Sequence, residues 1–428
     1  MTETTDPSQD TRGPVLIVGA GLAGLCCARV LQQAGVDLTL LDAADTCGGR
    51  VRTDVVDGYR LDRGFQVLLT AYPEARDVLD YQALDLRAFQ PGALIRRDGR
   101  FHRFADPWRA PRHVLASLRA GVGRFADRLR VARLRAASIR ANRSGIPAVA
   151  EQTTLDCLRG HYGFSEDMID GFFRPFLGGV FLDAELQTTS HMLHFVFGMF
   201  SKGDAALPAR GMEEIPAQLT NGLPPERIRL SSEVKSLDAN DGSITLENGE
   251  RLQGSVVVLA TDAPAAHRLC PELPGPQPAR SVTCLYYTCD SPPVDEPILI
   301  LNGDGLGPVN NLSVPSVVSP HYSPSGRHLV SVSVLDRIDQ EEASLDSEVR
   351  SQLSNWYGQQ VNQWETLRIV RVPYALPSQP PGAAGSSTGR ITDRLYVCGD
   401  YCENSSIQGA MVSGRAVAEQ ILQAGREE

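Results

Sequence analysis

With 428 residues, 42% of them hydrophobic, the chain can bury a sizeable core and is long enough for two or three domains. A formal charge of -10 argues against bulk nucleic-acid binding, which needs Lys and Arg to neutralise phosphates. Nine cysteines without a CxxC pair, and eight histidines without partners at ligand spacing, point to neither a disulfide framework nor a metal site.

Residues 1–13 are acidic and polar and read as a flexible leader, unlike the basic and then apolar start of a signal peptide. No apolar run approaches the roughly 18 to 20 residues that span a bilayer. A soluble or peripherally membrane-bound protein on the cytoplasmic or stromal side is therefore expected. Val15 to Val18 form a short apolar run of the buried parallel-strand kind, Leu22 to Gln33 have helical periodicity, and Val36 to Leu41 form a second strand. This is a βαβ unit. Gly19, Gly21 and Gly24 lie between strand and helix as GxGxxG, and Asp42 and Ala43 close the second strand.

Each position has a physical task. Gly19 permits the tight turn, Gly21 removes a Cβ so that backbone can approach a pyrophosphate, and Gly24 lets the helix pack closely on the strand. Leu22 and Ala23 open the helix, where free N–H groups and the dipole favour phosphate. Asp42 is placed to accept hydrogen bonds from an adenosine ribose. A dinucleotide ligand follows from this spacing.

Beyond residue 76 the character changes. ALIRRD and RDGRFHRF read as short strands and 111–142 as a long helix, while residues 165–200 read as further helices rich in Phe. His191 and His194 are expected on a polar helix face. Residues 96–143 hold fourteen Arg, no Lys and three Asp, about +11 in a chain whose remainder is about -21. Strands and hairpin turns resume around Val234, with a buried strand from Val256 to Ala260. The Pro-rich stretch 271–278 reads as a domain crossing, and strands are expected at 282–289, 298–301 and 329–335, with a helix near 342–358. SQPPGAAGSSTG reads as a second crossing, after which Leu395 to Cys398 leads into GDYCENSSIQGAMVSGR.

Gly48, Gly49 and Arg50, placed just beyond the ribose acid, resemble the GGR of the FAD proteins of the amine-oxidase and carotenoid-desaturase superfamily. The resemblance implies FAD as cofactor, with the Arg50 guanidinium as a cap on the pyrophosphate. It further implies backbone contact to adenine at Val234 and a strand and turn below the flavin that include Ala260. Gly399 and Asp400 match the closing motif, in which the acid holds the ribityl or phosphate region. The helix begun by Ile407, Gln408 and Ala410 would then aim its dipole at the flavin. The implied fold class is α/β, a Rossmann-type FAD-binding domain with an inserted mixed α+β substrate domain. Segments 14–75, 205–275 and 388–428 are expected to make the first, and 76–204 and 276–387 the second.

Within this group RLDRGFQVLLTAYPEA, residues 60–75, is similar to the segment after GGR in phytoene-type desaturases and hydroxysqualene dehydroxylases. Asp62, Gly64, Ala71, Tyr72 and Pro73 match, and Gly64 and Phe65 would adjoin the flavin. Gln66 stands where the pattern has His, so the candidate catalytic position carries an amide that does not titrate. Only Lys202 and Lys235 occur in the chain, neither within 276–390, where oxygen-using amine oxidases commonly keep a Lys. The implied activity is hydride transfer from a hydrophobic, isoprenoid-like substrate to flavin N5, as a dehydrogenase, desaturase, isomerase or dehydroxylase, with a quinone or oxygen as acceptor. Amine or amino-acid oxidation, with a cage drawn from Tyr286, Tyr287, Tyr374 or Tyr401, is the alternative, and a flavin-free prenyl-sheltering module the third. The arginines of 111–142 imply either peripheral contact with anionic lipid or a solvated face balancing the acidic remainder.

Overall fold

The computed structural model describes residues 13–106, 109, 121–383 and 389–427. By contacts the chain divides into two compact units. The smaller comprises Met1–Gly49, Pro216–Pro276 and Ala384–Glu428, the larger Arg50–Ile215 and Gln277–Ala383. Residues 50–75 and 205–215, grouped with the first domain in the sequence reading, lie with the larger unit. Their reason is local: the hairpin Thr53–Val56 and Tyr59–Asp62 ends on an acid bonded to Tyr322, and Leu68–Leu69 pairs with Ala205–Leu207.

The smaller unit is built on β1 (Val15–Val18), α1 (Leu22–Gln33) and β2 (Leu38–Leu41). Its six-stranded sheet runs Ile228–Arg229, β2, β1, Val256–Leu259, Leu395–Val397 and Gly389–Arg390. All neighbours are parallel except the last pair. β1 and Val256–Leu259 are continuous apolar runs, as strands covered on both faces require. A three-stranded antiparallel sheet, Val234–Asp238, Ser243–Leu246 and Arg251–Gln253, adds Val234, Ile244 and Leu246 to the same core.

The C-terminal helix Ile407–Glu427 packs on α1. The contact is set by an absent side chain, since a Cβ on Gly414 would lie 2.0 Å from the Ala23 carbonyl oxygen.

The larger unit holds a seven-stranded sheet in the order Glu365–Pro377, Ala279–Cys289, His328–Leu335, Val309–Ser313, Leu299–Asn302, Gly92–Arg97 and Arg100–Ala105. It is antiparallel except where Leu299–Asn302 meets Gly92–Arg97. Its helical part contains Phe125–Ser144, Arg174–Phe181 and Ser190–Lys202, with two π-helical turns at Cys157–His161 and Ile169–Phe173. Of the helix expected over 111–142, residues 121–124 are not helical and Phe125–Ser144 is, while residues 111–120 lie outside the described residues. Its start is fixed by a one-sided cap in which the Asp127 carboxylate accepts the Arg124 N–H at 2.7 Å. His194, expected on a polar face, is instead buried: its Nε2 meets the Tyr162 hydroxyl at 2.8 Å and its Nδ1 the Ser190 carbonyl at 2.6 Å. Burial holds this imidazole below its ordinary pKa.

A glycine-to-alanine change in an open helical position gains about 1 kcal/mol, whereas overpacking costs about 1–3 kcal/mol. Gly425 has nothing within 4 Å of a new Cβ, and Gly414 has a backbone oxygen at 2.0 Å. Gly425→Ala is therefore expected to raise the thermal unfolding midpoint and Gly414→Ala to lower it, although the two share one helix.

Candidate functional site

The glycine loop follows β1 because Gly19 takes φ +111°, a conformation that L side chains rarely adopt, and a Cβ there would lie 2.6 Å from the Ala260 carbonyl oxygen. Gly24 is tighter still, with the Gly19 oxygen 1.9 Å from a Cβ position and the Ala260 Cβ at 3.2 Å. Gly21 differs from both: nothing lies within 4 Å of its missing side chain. It also caps α1 without a side-chain hydrogen bond, and the first turn carries no acid. The loop therefore presents bare backbone and the positive end of a twelve-residue helix to an open space, which suits a pyrophosphate.

A second glycine loop lies against the first. The Gly48 N–H donates to the Ala20 carbonyl at 2.8 Å, and Gly49, at φ +59°, would bring a Cβ to 3.3 Å from the Gly21 Cα. Asp42 joins the two loops, its Oδ2 accepting the Ala20 N–H at 2.6 Å and its Oδ1 the Ala44 N–H at 2.8 Å. The predicted ribose acid is thus also an organiser of the loops. Each carboxylate oxygen keeps a second lone pair for a ribose hydroxyl. Ala43 is exposed beside it, and Leu22 and Ala23 are buried on the helix side.

The other predicted residues of this unit reach the same sheet through parallel pairing. Ala260 donates its N–H to the Val18 carbonyl at 2.8 Å and ends the strand beside β1. Gly399 and Asp400 end the next strand, with the Gly399 N–H held by the Ser413 hydroxyl at 2.9 Å and Asp400 buried. Ser406 Oγ accepts the Gly409 N–H at 3.0 Å and caps the helix that Ile407, Gln408 and Ala410 begin. Val234 is buried in its own small sheet.

Arg50, Gly64, Phe65 and Gln66 fall in the larger unit. The Arg50 guanidinium donates to the Ala375 carbonyl at 2.9 Å and lies 5.8 Å from the Tyr374 ring centre. Phe65 packs edge-on against Phe89 at 6.1 Å. The Gln66 amide nitrogen donates to the carbonyls of Arg50 at 2.8 Å and Arg63 at 2.9 Å, which fixes its carboxamide, while its buried Oε1 has no partner. Gly64, Phe65 and Gln66 line a cavity with Asp62, Tyr286 and Tyr322.

Asp62 is buried in the lining of that cavity and forms no ion pair among the described residues, although Arg60 lines the same cavity. Its Oδ1 accepts the Thr53 hydroxyl at 2.5 Å and the Met212 N–H at 2.9 Å, and its Oδ2 the Tyr322 hydroxyl at 2.8 Å. The Tyr286 hydroxyl donates to the Asp62 carbonyl. Burial pushes the Asp62 carboxyl above the usual carboxylate range, and the three donors offset only part of that. Burial likewise raises the Tyr286 and Tyr322 hydroxyls well above theirs, so both remain neutral donors. Tyr322, Thr53 and Met212 went unnoticed in the sequence because no spacing rule joins residues so far apart. Of the four tyrosines considered for an amine cage, Tyr287 belongs to the core, its hydroxyl on Asp346 at 2.8 Å.

A family model for flavin containing amine oxidoreductases matches residues 22–422. Over 263 residues the chain is 23% identical to protoporphyrinogen oxidase 2, chloroplastic/mitochondrial, of Arabidopsis thaliana, covering 54% of this chain and 51% of that protein. A stretch of 50 residues is 50% identical to hydroxyneurosporene desaturase of Rubrivivax gelatinosus, 12% of this chain and 10% of that one. The chain thus spans about half the length of the first relative and a tenth of the second. A solved oxidoreductase from Methanosarcina mazei shares the fold, with a TM-score of 0.74 at 17% identity over 95% of this chain and 100% of that one.

The glycines separate folding from ligand binding. Gly21→Val is expected to leave the unfolding midpoint of ligand-free protein near the wild-type value while abolishing the visible flavin absorbance of the purified protein. Gly24→Ala is expected to lower both. For Asp62, a raised carboxyl means that the folded chain binds a proton more tightly than the unfolded chain. Stability from this group is complete below the ordinary carboxylate pKa and is lost as pH rises through the raised value. Denaturant midpoints of wild type minus Asp62→Asn, measured from pH 4 to 8, are expected to fall with rising pH and then level off.

Proposed function

The chain belongs to the family of flavin-containing amine oxidoreductases, and on that premise we propose that it is an FAD-dependent dehydrogenase or desaturase acting on a long apolar, isoprenoid-like substrate. Isomerisation or dehydroxylation of such a substrate on the same cofactor is a close variant. The observation that carries the reading is the interior of the larger unit. Phe164, Phe172, Phe173 and Phe181 are buried together there, with Phe176, Phe197 and Phe200 half-buried at the margin. The half-buried margin of Phe176, Phe197 and Phe200 favours an alkyl or polyene chain by apolar burial and offers little to a charged amine.

Bound FAD supplies the hydride acceptor. The chain's residues do the rest. The Gly19–Gly24 loop and the N-terminus of α1 would hold the pyrophosphate, Asp42 would take the ribose, and Asp400 with the helix begun by Ile407 would serve the remainder of the cofactor. Gln66, pinned through its amide nitrogen, offers a fixed acceptor at Oε1 and no proton. The Thr53, Tyr322 and Met212 donors keep the Asp62 carboxyl in one orientation.

Amine oxidation is the competing reading. Asp62 beside two tyrosines favours it, because a buried carboxyl and aromatic faces are what an ammonium seeks. The two readings differ in their reaction with oxygen. Flavin photoreduced without air is expected to reoxidise slowly when air is admitted and rapidly with a soluble quinone, and an isoprenoid hydrocarbon in detergent is expected to bleach the oxidised flavin. Rapid reoxidation by air, with bleaching by primary amines instead, would replace the proposal by the amine reading.

A further inference from the structure

The helix Phe125–Ser144 is patterned inside out. Its inward face carries Asp127, Leu134 and Ser138, all fully buried, while Phe125 and Leu129 stand 69% and 65% exposed. At about 100° per residue, Phe125, Leu129, Arg133, Ala136, Arg140 and Arg143 fall within an arc of roughly 80°, and Asp127 lies roughly 160° from its middle. The outward arc therefore holds two large apolar side chains, three arginines and no acid.

Arg133, Arg140 and Arg143 form no ion pair among the described residues, although the Arg133 guanidinium lies 5.5 Å from the Tyr162 ring centre. Arg130, by contrast, is paired with Asp127 at 2.9 Å. Just past the Gly145 cap, at the opposite end of the helix from Phe125 and Leu129, Ile146 is 69% exposed. The inward side packs on Ser190–Lys202, the helix that contributes Phe195, Phe197 and Phe200 to the aromatic cluster.

A solvated arginine face balancing the acidic remainder accounts for the charges but not for Phe125, Leu129 and Ile146 among them. A nucleic-acid strand would use the charges and leave Leu129 and Ile146 without a partner. We propose that this face docks on a bilayer surface containing anionic lipid, with Phe125, Leu129 and Ile146 entering the headgroup boundary and Arg133, Arg140 and Arg143 contacting lipid phosphates. In a chain of net charge -10, a local patch of this kind confines the attraction to one face and orients the larger unit on the membrane.

The test is co-sedimentation of the full-length protein with vesicles, one set of phosphatidylcholine alone and one with a third phosphatidylglycerol. Wild type is expected to bind the mixed vesicles, to ignore the neutral ones and to be released by salt. Each arginine near an anionic surface is worth about fivefold in partitioning, so R133Q/R140Q/R143Q is expected to bind on the order of a hundredfold more weakly. R133K/R140K/R143K is expected to restore binding, and F125S/L129S to weaken it at every salt concentration. All the changed side chains are exposed, and unchanged unfolding midpoints verify the fold. Equal binding by wild type and the glutamine variant would overturn the proposal. So would sedimentation velocity showing a dimer that F125S/L129S dissociates, with no vesicle binding, since a second copy would then cover the face. The assay involves no turnover, so its failure and that of the substrate reading are told apart.

Discussion

The smaller unit depends on how closely α1 is drawn down onto the sheet. The Gly19 carbonyl oxygen sits 1.9 Å from where a Gly24 Cβ would be, and the Gly414 position of the last helix is equally closed against Ala23. Two absent side chains therefore fix α1 from two sides, one against the strand ends and one against the C-terminal helix. Because α1 cannot slide, its first turn stays at the mouth of the glycine loop, where its dipole and unpaired N–H groups act. Asp42 completes the arrangement by tying Ala20 and Ala44 to one carboxylate. What looks like a ligand-binding motif is in large part a packing motif, and only the open space at Gly21 is reserved for the ligand.

Much of this was legible in the sequence because its signals are local. β1, α1 and β2 follow from an apolar run, a 3.6-residue period and a glycine spacing, and the expected strands at 282–289 and 329–335 lie within Ala279–Cys289 and His328–Leu335. The thirteen-residue strand Glu365–Pro377 went unassigned because Arg368, Arg371 and Pro373 obscure its alternation. Such residues are tolerated there because the strand lies at the edge of its sheet. His194 was misplaced because a histidine reads as polar, whereas Tyr162 and the Ser190 carbonyl satisfy both ring nitrogens inside the core.

The cofactor residues and the Asp62 cluster differ in the same way. Gly19, Gly21, Gly24 and Asp42 lie within one βαβ unit, so spacing alone reveals them. Thr53, Asp62, Met212, Tyr286 and Tyr322 come from three hairpin or loop regions and one long strand, and nothing in the order of residues joins them. Gln66 stands between the cases. Its place in the motif was visible, but not the fact that Arg50 and Arg63 consume both amide hydrogens and leave the oxygen as its one free function.

The parallel pairing of Val256–Leu259 with Leu395–Val397 also bears on how the molecule is made. More than a hundred residues of the larger unit separate these neighbours in the chain, so a costly loop must close before the central sheet is complete. Parallel contacts of such long range form late and slowly. During synthesis the edge of Val256–Leu259 waits unpaired while the intervening segment emerges and folds. The nascent protein is then vulnerable to strand-edge association, and a chaperone, or early arrival of the cofactor on the half-built sheet, would relieve it.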